Sequence, residues 1–154
     1  MPAWTVRFLR LALGWLVVGA ALGALLLAAK GMRWSLPWGR LLAVHVELLL
    51  VGWMLQFALG VAYWMLPRHP TAPERGAAGP VAAAFGLLNL GLVIAAAGAA
   101  SAAEPPIVAL GRLAELAAVV AFAANAWPRI KPFGAGRGQV NLGGSRAGTG
   151  AIDA

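Results

Sequence analysis

RLLAVHVELLLVGWMLQFALGVAYWMLPR, residues 40–68, is the stretch that decides the fold. It opens and closes on arginine and is otherwise almost wholly apolar. At ~1.5 Å of rise per helical residue it is long enough to cross the ~30 Å hydrocarbon core of a bilayer. Inside it stand a histidine, His45, and a carboxylate, Glu47, and Pro67 closes it. Ionisable groups are expensive in hydrocarbon, so each one at that depth is a candidate functional residue.

Three more apolar runs surround this one. The pattern predicts an all-α, four-helix transmembrane bundle over residues 1–132, with helices at about 8–29, 39–66, 80–102 and 107–127. Residues 133–154 lack periodicity and large apolar side chains, and read as a disordered polar tail. The composition agrees with a membrane protein: 61% of the 154 residues are hydrophobic and 11% charged, where soluble chains carry about 25% charged residues. No alternating ten-residue strands support a β-barrel. The absence of cysteine excludes disulfides, thiolate metal sites and cysteine nucleophiles. The first run follows Arg7 and Arg10 as a signal peptide would, but it is longer than the usual ~7–15-residue apolar region, so a retained anchor helix is expected.

The net charge of +7 comes from residues at the ends of the apolar spans, where they set topology and meet anionic lipid rather than nucleic acid. Four helices place both termini and the 68–79 turn on one side. That side carries Arg7, Arg10, Arg68, Arg75, Arg129, Lys131, Arg137 and Arg146, against Lys30, Arg33, Arg40 and Arg112 on the other. Eight against four predicts N-in, C-in.

Helices two and four then both start on the outer side, so depths compare directly. His45 lies ~8 Å below the outer end of its helix, Glu47 ~3 Å deeper, and Arg112 and Glu115 ~8 and ~12 Å down theirs. Four ionisable groups fall in one layer. Arg112 and Glu115 are i, i+3 neighbours able to pair, whereas His45 and Glu47 point ~200° apart and cannot face one partner. A structural salt-bridge layer and a functional polar cluster both fit this pattern. Gly52, Gln56, Gly60 and Tyr63 recur at near-helical spacing on the side of His45, a close-packing face with a hydrogen bond from Gln56. Gly19 and Gly23 offer a second such face on helix one, and Asn89 reads as a helix–helix hydrogen-bonding residue. Phosphate loops, zinc-protease motifs and hydrolase triads are absent from the sequence.

The order Arg40, His45, Gly52, Trp53, Gly60, Tyr63, Trp64, Pro67 resembles the second transmembrane helix of the catalytic subunit of the heme-copper oxidase superfamily, most nearly its nitric oxide reductase large-subunit branch. The resemblance covers about the first 70 residues. It implies that His45 is an axial ligand of a low-spin heme b, and that the glycine face beside it leaves room for a flat porphyrin. The chain has only two histidines, so it cannot house that family's binuclear centre and is not an oxidase or reductase by itself. His69 lies 24 residues beyond His45, ~36 Å along a helix, too far to share one iron. A second His45 from a symmetric dimer and Met32 remain as sources of the other ligand. The resemblance therefore implies an accessory or electron-transfer subunit of respiration in the inner membrane of a prokaryote. It would contact membrane lipid and act as a homodimer or within a larger respiratory membrane complex. The alternatives are a small transporter or channel subunit using Glu47, Arg112 and Glu115, or a heme-free structural membrane protein.

Reporter fusions check the orientation. A cytoplasm-dependent reporter is expected to be active when fused after Ala154 and inactive when inserted beside Ser35, and the reverse pattern inverts the topology.

Overall fold

A computed structural model describes residues 1–68, 75–102 and 105–130. Its elements are α1 (Ala3–Gly31), α2 (Trp38–Met65), α3 (Ala78–Ser101) and α4 (Pro105–Ala126), the last continued by a 3-10 turn at Trp127–Arg129. All four are long and apolar enough to cross a membrane, and no strand occurs among the described residues. The expected tail, His69, Glu104, Lys131, Arg137 and Arg146 lie outside them. The helices run alternately up and down. The end bearing the 30–40 connection is called the outer end, after the orientation expected from the charge count.

The helix ends follow local chemistry. α1 begins at Ala3, a turn before the Phe8 expected from hydropathy. The Arg7 guanidinium lies 4.4 Å from the centre of the Trp4 ring, so the charge stays at the interface while the helix continues past it. At its other end the Trp34 N–H donates to the Ala29 carbonyl at 2.9 Å and the Arg33 N–H to the Lys30 carbonyl at 3.3 Å. Arg33 sits between them at φ 56°, in the left-handed position that usually takes glycine. α3 stops one residue short of its expected end because Ala102 adopts the left-handed conformation, at φ 54°. Within α2, Leu48–Leu55 winds as a π-helix, which hydropathy does not register.

Glycines bring the helices together in two hairpins. In the first, Gly19 of α1 faces Leu48 and Leu49, Gly23 faces His45, and Gly60 of α2 faces Phe8. The second is tighter still. A Cβ on Gly111 of α4 would lie 2.6 Å from the Ala95 nitrogen and 2.8 Å from the Gly91 carbonyl oxygen of α3, so backbone meets backbone there. The hairpins join through α2 and α3. Gly52 lies against Trp15 and Leu92, and Phe8, Tyr63, Val81, Ala84, Phe122 and Ala126 form a buried cluster toward the inner end. The Trp15 Nε1–H donates to Asn89 Oδ1 at 2.9 Å, tying α1 to α3.

The inner end of α2 is held by two arginines. Pro67 stops the helix and leaves its last carbonyls without partners. Arg129, 1% exposed, donates to the carbonyls of Pro67 (3.0 Å), Leu66 (3.1 Å) and Tyr63 (3.2 Å). Arg75 donates to the Tyr63 carbonyl at 2.9 Å. Positive charge at a helix C-terminus also meets the negative end of the helix dipole.

Gly111→Ala is expected to cost about 1–3 kcal/mol, because only backbone can give way at that crossing. Gly86→Ala, where no atom lies within 4 Å of the added methyl, is expected to leave stability unchanged or slightly raised. Thermal unfolding in detergent, followed by circular dichroism, compares the two.

Candidate functional site

His45 lies in the outer half of α2, half-buried against α1. Gly23 makes the space for it: a Cβ there would come within 2.5 Å of the imidazole Cε1. Nδ1 is 2.8 Å from the Gly19 carbonyl oxygen. A carbonyl only accepts, so Nδ1 carries the hydrogen, and in the neutral ring Nε2 keeps its lone pair. The Gly19–Gly23 step thus does two jobs, orienting the ring and fixing its tautomer.

Beside the ring lies a cavity of about 290 Å³ whose other walls are Gly23, Leu26, Leu27, Lys30, Trp38 and Leu42. Lys30 and Trp38 also border a second recess of about 440 Å³, completed by Arg33 and Trp34. The space is apolar beside the imidazole and basic at its outer mouth. Such a slot suits a molecule with a flat apolar body and an anionic edge. The left-handed Arg33 belongs to this mouth, where a charged side chain stands in a position that favours glycine.

Glu47 faces the other way, toward α4. It is 6% exposed and accepts a hydrogen bond from Arg112 Nη1. The same nitrogen lies 3.6 Å from Glu115 Oε2. Glu115 is 7% exposed, and its Oε1 has no hydrogen-bond partner among the described residues. Gly91 of α3 makes room for it, since a Cβ there would sit 3.0 Å from Glu115 Cγ. The four ionisable groups therefore share a depth but form two sites on opposite faces of α2. His45 belongs to α1, and the carboxylates belong to Arg112.

Gly52, Gln56, Gly60 and Tyr63 are all buried. The Gln56 Nε2–H donates to the Phe8 carbonyl at 3.4 Å. The room imagined for a porphyrin along Gly52 and Gly60 is filled by Trp15, Leu92 and Phe8, so the open space lies higher, at Gly23. Met32, at the end of α1, is 59% exposed and does not line the cavity. Among the described residues no group of three or more His, Cys, Asp or Glu could hold a bare metal ion.

Sequence reasoning passed over Arg75 and Arg129 as α2 caps, and over Trp15 as the partner of Asn89. The available signal was Pro67 itself, which leaves carbonyls that some donor must meet. Comparison with protein-family models, curated proteins and solved structures finds no match to this chain.

Arg112→Leu leaves Glu47 and Glu115 buried without a counter-charge. Roughly 3 kcal/mol of destabilisation is expected, the order of the cost of a lone charge at helix depth. Adding Glu47→Leu and Glu115→Leu is expected to recover most of it in the same unfolding measurement.

Proposed function

We propose that this small integral membrane protein is a heme b-binding, electron-transferring accessory subunit of respiration in a prokaryotic inner membrane, with His45 as an axial ligand. The observation that carries the reading is the Nδ1–H···O=C bond from His45 to Gly19. A carbonyl bonded to the far ring nitrogen in this way orients an imidazole and raises its basicity as a metal ligand. The likeness of residues 40–67 to the second helix of heme-copper oxidase catalytic subunits supplies the identity of the metal group.

The residues present fit one side of a heme. The donor is a neutral imidazole nitrogen, the neighbouring walls are apolar, and Lys30 and Arg33 border the mouth where carboxylates would reach polar surroundings. Bound there, heme supplies one-electron transfer between two oxidation states of iron. The protein's part is to hold and tune. Gly19 fixes the ring, Gly23 admits it, and the leucines keep water from the iron's surroundings, conditions that set a heme's potential. With only one other histidine in the sequence, too few for a binuclear centre, the reading stops at electron transfer or heme handling and does not extend to bond-making catalysis.

A second reading, a small transporter subunit, is favoured by one observation: the buried Glu115 Oε1 has no hydrogen-bond partner among the described residues. Glu115→Gln is expected to leave heme content unchanged, whereas loss of a proton or anion flux in proteoliposomes supports transport.

The heme reading is checked by a reduced-minus-oxidised visible spectrum and a pyridine hemochrome assay of detergent-purified protein. A sharp α-band that disappears in a folded His45→Ala variant is expected. Protein free of heme, isolated from cells making other membrane cytochromes, overturns it.

A further inference from the structure

We propose that a second copy of this chain completes the His45 site, so that one heme is held between two protomers by two His45 imidazoles. This rests on the reading of His45 as a heme ligand and adds where the other half of the site comes from.

The cavity lies on the outside of the bundle. Its walls come from α1 and α2, with none from α3 or α4. Leu27 is 74% exposed and Leu42 54%, so the space opens away from the rest of the chain. Its volume of about 290 Å³ falls just under the ~300–1,000 Å³ of small-molecule pockets. Two such cavities facing one another offer about 580 Å³, well within that range.

The donor count points the same way. A low-spin heme iron takes two axial ligands on opposite faces. The described residues contain one histidine, and its ring is already committed to α1 through Gly19. The other nitrogen must come across the open side of the cavity. Copies of one chain insert in one orientation, so a two-fold axis along the membrane normal brings a second His45 to the same depth without further adjustment. An unrelated partner would need a ligand matched to that depth independently. The same axis doubles Lys30 at the mouth, one ammonium for each of the two carboxylates that heme b carries.

The test is the heme-to-chain ratio together with the mass of the heme-loaded species, measured by native mass spectrometry of the full chain. About one heme per two chains, in a dimer, is expected. Leu27→Trp fills the cavity from the lipid side without removing the ligand. It is expected to lower both heme content and dimer fraction at least severalfold, with helicity by circular dichroism unchanged. Co-expression of wild type with tagged His45→Ala is expected to give mixed dimers without heme. One heme per chain in a monomer, or heme found only with a different polypeptide, overturns the shared site and leaves the heme reading standing. Absence of heme from the wild type overturns both.

Discussion

Arg112 of α4 and Arg129 of the 3-10 turn that follows it hold α2 at its two ends, and the rest of the structure depends on them. Arg112 meets Glu47 near the outer end, and Arg129 meets the carbonyls of Tyr63, Leu66 and Pro67 at the inner end. The two arginines stand ~26 Å apart along the helix, close to the depth of the hydrocarbon itself. Between these points there is no water to satisfy a polar group, so whatever is not bonded within the protein is penalised. The pair therefore fixes how deep α2 lies and which way it is turned. With Glu47 directed at α4, His45 is directed at α1, and the candidate ligand faces a cavity rather than the bundle interior.

The same economy explains where the glycines stand. Gly19 and Gly23 accept the His45 ring, Gly91 admits the Glu115 side chain, Gly52 takes the flank of Trp15, and Gly76 lies against Asn125. A polar or large side chain in a thin bundle needs a neighbour that gives up its own. At these positions glycine is the complement of a specific side chain. At Gly91 and Gly111 it also lets backbone touch backbone.

Much of this architecture was legible because lipid simplifies the code. Apolar run length gives the spans and proline their limits, so all four helices could be read from hydropathy and Pro67. The ~200° between His45 and Glu47 is likewise a property of any helix. The π-helical turns at 48–55 were hidden, since they differ from α in hydrogen-bond spacing and not in composition. Arg129 was hidden for another reason. An arginine beside a span reads the same whether it touches headgroups or caps a neighbouring helix. The Gly19–Gly23 pair was visible as a small face, but only the fold shows that an imidazole fills it.

The pairing of α2 with α4 has a consequence for biosynthesis. Glu47 precedes Arg112 by 65 residues, and Tyr63 precedes Arg129 by 66. At ~5–20 residues per second, α2 leaves the ribosome some 3–13 seconds before the helix that satisfies it. During that interval the Glu47 carboxylate and the Leu66 and Pro67 carbonyls wait for Arg112 and Arg129, while the Tyr63 carbonyl can already be met by Arg75. The nascent α2 is best sheltered at the wall of the insertion channel until the second hairpin arrives. Release into lipid and assembly are then one event, timed by the last helix.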